Sequence, residues 1–94
     1  MNSSNDKICI VIADDHEWVR FALKTGLESD EISCIGEAKN ALEVVHLCDE
    51  LHPDAVILDM FMPDKSGLES ISQILEVCPE TKIIHDAVRN GCSR

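Results

Sequence analysis

Apolar positions in this chain recur in two rhythms, and the rhythms alternate. Lys7–Ala13 (KICIVIA) and the run through Asp54–Leu58 (DAVIL) are short, rich in β-branched residues and without helical period. Such runs form strands buried on both faces. Between them, His16–Glu28 places Val19, Ala22, Leu23, Gly26 and Leu27 on one helical face. A weaker strand follows at Ile32–Glu37, with Gly36 near its end. Asn40–Glu43 has the form of a capping box and opens a helix with Ala41, Val44, Val45, Cys48 and Leu51 inward. Pro53 marks the end of the loop before the central strand. After Asp59 a loop from Met60 to Gly67 carries Pro63 and Asp64. Ser66–Glu69 is a second capping box, opening a helix that turns Leu68, Ile71, Leu75 and Cys78 inward until Pro79 stops it. Thr81–Ile84 begins a fourth strand. Residues 1–6 are polar and read as a disordered N-terminus, and residues 85–94 have no clear period and read as an irregular tail.

The order βαβαβαβ with short loops predicts an α/β fold over residues 7–84: a doubly wound parallel sheet, helices on both faces and right-handed crossovers. Ninety-four residues make one domain, and a hydrophobic share of 45% is enough for a core. The net charge of −10 argues against a nucleic-acid surface, because phosphate binding needs a basic face. No apolar run reaches membrane-spanning length and the start has no secretory segment. Cys9, Cys34, Cys48, Cys78 and Cys92 are scattered, never in CxxC spacing, and read as reduced thiols of a cytoplasmic protein rather than a zinc site.

The chemistry gathers at strand ends. Asp59 ends the central run and Asp14-Asp15 end the first. Each has a plain reading: Asp59 starts a turn, and an aspartate before the first helix suits the helix dipole. That reading explains one aspartate of the pair better than two. Neighbouring parallel strands put their C-terminal ends side by side, at the mouth where α/β sheets bind ligands. Two unit charges ~4 Å apart at an effective dielectric of ~20 repel by roughly 4 kcal/mol, so such a cluster takes up protons or a cation. All-oxygen donors open to water and phosphate favour Mg²⁺. An aspartate there is placed to act as a nucleophile toward phosphorus.

Ile12-Ala13-Asp14-Asp15-His16, with the Val19-Arg20 helix behind it, then Ile57–Pro63 and Ser66–Glu69, resemble the receiver domain of bacterial two-component response regulators, most of all the NarL/LuxR subgroup. The resemblance covers residues 7–84 and implies a flavodoxin-like (CheY-like) fold. It implies that Asp59 accepts a phosphoryl group from a sensor histidine kinase. It also implies that Asp15 and Asp59 ligate Mg²⁺ directly, Asp14 through water, and Phe61 through its backbone carbonyl. Met62-Pro63 and Gly67 would shape the loop. His16 follows the acid pair and reads as a surface residue near the metal, and His46, His52 and His85, without paired ligands, read as solvated. Trp18 reads as partly exposed packing.

The chain departs from the pattern after its fourth strand. The resemblance implies a Ser or Thr at the end of that strand, where Ala87 falls, and a lysine on a fifth strand, which the sequence does not carry. A last helix is also expected there. Its absence exposes about 500 Å² of apolar surface, worth roughly 12 kcal/mol at ~25 cal/mol per Å². The sequence alone therefore predicts a C-terminally truncated receiver, incomplete after the fourth strand, impaired as a phosphoacceptor and prone to self-association. Two other functions compete. A hydrolase with an aspartate nucleophile, of the haloacid-dehalogenase type, needs a second acid two residues on, where Phe61 stands. An interaction module that binds a kinase or another receiver without being phosphorylated needs only the exposed faces.

Overall fold

The computed structural model describes residues 7–59 and 67–85. Its element order is β1 (Ile8–Ala13), α1 (Glu17–Leu27), β2 (Ile32–Ala38), α2 (Ala41–Leu51), β3 (Ala55–Leu58), α3 (Gly67–Val77) and β4 (Lys82–His85). The strands form one parallel sheet in the order β2-β1-β3-β4. This is the expected doubly wound arrangement.

Alternation along the strands sorts the core into two layers. Val11, Ala13, Val56 and Leu58 point to one face and pack with Ala41, Val44 and Cys48 of α2 and with Ile74 of α3. Ile10, Ile12, Ala55 and Ile57 point to the other, against Leu23 and Leu27 of α1. Thus α2 and α3 seal one face, and α1 lies on the other.

Gly36 has a specific job. The β1–β2 register shifts between Ile10 and Val11, which pair with Cys34 and Gly36, so Ile35 is bulged. Beyond the bulge a Cβ at Gly36 would meet Leu47 Cδ1 at 3.3 Å, so the glycine lets α2 lie close over β2.

Two of the three expected helix faces need correction. In α1, Val19 is buried and Leu23 and Leu27 are half-buried, but Ala22 and Gly26 face solvent. In α3, Leu68 (75% exposed) and Leu75 (40%) point outward, while Ile74 and Ser70 are fully buried. The inward stripe of α3 is Ser70, Ile71, Ile74 and Val77, leading to Cys78. A small polar residue takes a fully buried position, and hydrophobicity alone misassigns it. In α2 the expected face holds, except that Leu51 is 40% exposed.

The cap of α2 forms as expected. Asn40 Oδ1 accepts the Glu43 N–H at 2.9 Å. Glu43 Oε1 reaches back to the Lys39 N–H at 3.0 Å, one residue before the cap. Ser66 of the other capping box lies outside the described residues.

Candidate functional site

Register places the acids. Ala13 pairs with Leu58 in the β1–β3 ladder, so Asp14 and Asp59 leave the sheet side by side. Each remains tied to the sheet by its backbone: the Asp14 N–H donates to the Ala38 carbonyl at 3.0 Å and the Asp59 N–H to the Ala13 carbonyl at 2.9 Å. Both side chains are deeply buried, Asp14 at 0% and Asp59 at 2% exposure. Asp15 follows on the solvent side.

The turn into α1 completes the corner. Asp14 Oδ1 accepts the His16 backbone N–H at 2.9 Å, an Asx turn that curls the chain back over the acids. The His16 ring comes with it. Its Nδ1 lies 3.2 Å from Asp14 Oδ1 and 2.9 Å from Asp15 Oδ1. His16 is the N-cap of α1 and makes no cap hydrogen bond with its side chain. Ligand atoms of Asp14, Asp15, His16 and Asp59 all lie within 4.8 Å of one another.

Arg20 braces this corner from one turn along α1. Its Nη1 donates to the Asp14 carbonyl at 2.7 Å and its Nε to Glu37 Oε1 of β2 at 3.2 Å. Lys24 adds a contact to Glu37 Oε2 at 3.6 Å. Trp18 and Phe21 stand beside the acids, 70% and 69% exposed, and the Trp18 ring meets His16 edge-on at 6.4 Å. Trp18 is more exposed than its sequence position suggested.

The structure therefore brings Asp14, Asp15 and Asp59 together, as the sequence predicts. Phe61, expected to offer a backbone carbonyl, lies outside the described residues, as do Met60, Met62, Pro63 and Ala87. The sequence places His16 at the surface near the metal and gives Arg20 no role in the corner. The signal for both was their spacing from Asp14: two residues for an Asx turn, six for the first helical turn to bring a long side chain back.

The opposite end of the sheet holds a second polar cluster. A cavity of about 450 Å³ is lined there by His52, Pro53, Asp54, Cys78 and Thr81. His52 leaves α2 in the left-handed region at φ 48°, and its Nδ1 lies 3.4 Å from Cys78 Sγ. It is thus not simply solvated. Burial, with Cys78 nearby, pushes the Cys48 thiol up to about 12. Burial also raises the thiol of Cys34. Cys48 and Cys78 are buried, whereas Cys9 and Cys34 are half-buried.

Among the described residues no helix is long and apolar enough to cross a membrane. The response regulator receiver domain family matches residues 10–90. The transcriptional regulatory protein YdfI of Bacillus subtilis is 48% identical over 68 residues, covering 71% of this chain and 32% of that protein. The LuxR-family two-component response regulator of Aurantimonas sp. superposes with a TM-score of 0.79 at 28% identity, over 84% of this chain and 57% of the other. In the CheX–CheY–BeF3–Mg²⁺ complex from Borrelia burgdorferi, the matching chain gives a TM-score of 0.77 at 25% identity, over 83% and 60% of the two chains. The chain spans about a third of the transcriptional regulator and less than two thirds of each solved chain. Motifs, topology and family match agree: the chain belongs to the response regulator receiver domains, the signal-transducing modules of two-component systems.

Proposed function

We propose that this receiver accepts a phosphoryl group on Asp59 from a phosphohistidine of a sensor histidine kinase, in the cytoplasm and with Mg²⁺ bound. The observation that carries the reading is the buried Asp59 carboxylate held beside Asp14 and Asp15 at the mouth of the sheet. Three carboxylates form a hard oxygen donor set and fit Mg²⁺. Asp14, Asp15 and Asp59 would hold it, with the Phe61 carbonyl as a further ligand. Bound there, the cation neutralises the acid cluster and the phosphoryl oxygens, which otherwise repel each other.

The chain's own residues do the rest. The backbone bond from Asp59 to Ala13 fixes the acceptor in the sheet, so its carboxylate is oriented before a donor arrives. A carboxylate oxygen forms the new P–O bond as the donor's P–N bond breaks, and that electron pair returns to the donor imidazole. Arg20 is a positioning residue: it holds the Asp14 backbone through its carbonyl. The chemistry is acceptance and slow loss of one phosphoryl group rather than turnover of a substrate.

These 94 residues alone should accept phosphate slowly, since Ala87 offers no hydroxyl at the position where the resemblance implies one. The exposed Trp18 and Phe21 favour docking of the kinase or self-association along α1.

Intact-mass spectrometry after incubation with acetyl phosphate, with Mg²⁺ and with a chelator, tests the reading. One added phosphoryl group, dependent on the cation and absent in Asp59→Asn, is expected. A phosphoryl group that persists in Asp59→Asn contradicts it, as does a folded chain that never takes one up.

A further inference from the structure

We propose that Cys78 is a modification site: with His52 as base, its thiol exchanges with a small amine-bearing disulfide and forms a mixed disulfide in the cavity at the N-terminal end of the sheet. The acid corner lies at the opposite end, so this site stands apart from phosphoryl acceptance.

The arrangement of side chains is the first argument. His52 Nδ1 lies 3.4 Å from Cys78 Sγ, and Thr81 Oγ1 lies 2.8 Å from the same sulfur. Two separate turns bring these groups together. At the end of α2, His52 adopts φ 48° while its N–H donates to the Cys48 carbonyl at 2.9 Å. After α3, the Cys78 N–H donates to the Ile74 carbonyl at 2.8 Å, and the Thr81 hydroxyl ties the next turn to the Pro53 carbonyl at 2.8 Å. A nucleophile, a base within reach of its proton and a backbone that fixes the base are the parts of an activated thiol. The other described thiols lack them. Cys9 and Cys34 face the backbone carbonyls of Lys7 and Gly36, which accept a proton but do not carry it away. Burial keeps Cys48 protonated.

The cavity is the second argument. It measures about 450 Å³ and is lined by His52, Cys78 and Thr81 together with Asp54 and Glu80. That size falls within the roughly 300–1,000 Å³ of small-molecule sites. Cys78 is only 5% exposed, so a small disulfide that enters the cavity meets the sulfur and a protein-borne one does not. Among the described residues two acids and no lysine or arginine line the cavity, which favours an amine-bearing disulfide over an anionic one.

The exchange balances within these groups. Neutral His52 takes the Cys78 proton on Nδ1, and the thiolate attacks one sulfur of the small disulfide. The new S–S bond forms as the old one breaks, and the electron pair leaves on the second sulfur. That sulfur takes the proton from His52 and departs as a free thiol. Cys78 is oxidised, one half of the small disulfide is reduced, and His52 returns to its neutral form.

The test incubates the chain at neutral pH with cystamine and, separately, with glutathione disulfide, and follows each cysteine by peptide mass spectrometry. The same chain unfolded in urea is the reference. Native Cys78 should form the cystamine adduct faster than unfolded Cys78 by on the order of tenfold, although it is the more buried of the two. The gain over the unfolded chain should be larger for cystamine than for glutathione disulfide. His52→Asn removes the base with a residue that tolerates the left-handed region, and should lose the gain while urea unfolding is little changed. Native Cys78 reacting more slowly than unfolded Cys78 is the behaviour of a merely buried thiol and overturns the proposal. So does an unchanged rate in folded His52→Asn, or an equal gain for both disulfides. The native-to-unfolded comparison in wild type decides the matter even if His52→Asn does not fold.

Discussion

The two ends of the sheet handle buried polar groups in opposite ways. At the N-terminal end of the strands the polar groups satisfy one another. The buried Thr81 hydroxyl donates to the Pro53 carbonyl at 2.8 Å and lies 2.8 Å from Cys78 Sγ. Asp54 accepts the Cys9 N–H on its side chain at 2.8 Å, while its own N–H and carbonyl bond to Cys9 and Lys82. At the C-terminal end the buried groups are acids of one sign. Asp14 and Asp59 are as deeply buried as the core leucine beside them, with Asp15 next to them and the half-exposed His16 ring among them. One end closes loops and stabilises the fold. The other concentrates negative charge at some cost to stability, the signature of a site organised for a ligand.

That contrast breaks if acid-to-amide changes destabilise the protein. Asp59→Asn should abolish phosphoryl uptake and, by relieving repulsion among the acids, raise the midpoint of urea unfolding, with a gain in stability on the order of 1 kcal/mol. A large fall in midpoint would place Asp59 among the structural groups. Thr81→Val probes the other end. It leaves the Pro53 carbonyl without its donor and should lower stability by about 1–3 kcal/mol in urea titrations, with cation binding at the acid corner unchanged.

Arg20→Met sits between these cases. It removes the bonds to the Asp14 carbonyl and to Glu37, so stability should fall by about 1–2 kcal/mol and cation affinity by a few-fold, read in one titration series. A further effect is confined to high pH. Folding raises the Cys48 thiol from 9.0 to about 12, so the unfolded chain loses its proton first. Stability from this group is complete below about pH 9 and drains away as the pH rises toward 12. Denaturation midpoints measured across that window should fall, and alkylating reagents at neutral pH should reach half-buried Cys9 before buried Cys48.

Much of this molecule was legible before any coordinates. Ile8–Ala13 and Ala55–Leu58 are apolar on both faces, and their ends deliver Asp14 and Asp59 to the same edge once parallel pairing is assumed. Periodicity failed where size and context outweigh hydrophobicity. Ser70 is buried and Leu68 exposed, the reverse of their hydrophobicity, because α3 turns Leu68 to water. The bulge at Ile35 is a matter of register, which no local pattern in Ile32–Ala38 reveals. His16 enters the acid corner through an Asx turn, and His52 meets Cys78 because α2 ends in a left-handed residue. The first follows the two-residue spacing from Asp14, whereas the second depends on backbone direction alone.

If Asp59 is the acceptor of an assembled acid corner, it alone carries the phosphoryl group. The most direct measurement treats the chain with acetyl phosphate and Mg²⁺, reduces any acyl phosphate with borohydride and maps the product by peptide mass spectrometry. Homoserine at position 59, formed only with the cation present, is the result predicted. Homoserine at Asp14 or Asp15 instead, or none from a folded sample, would contradict it.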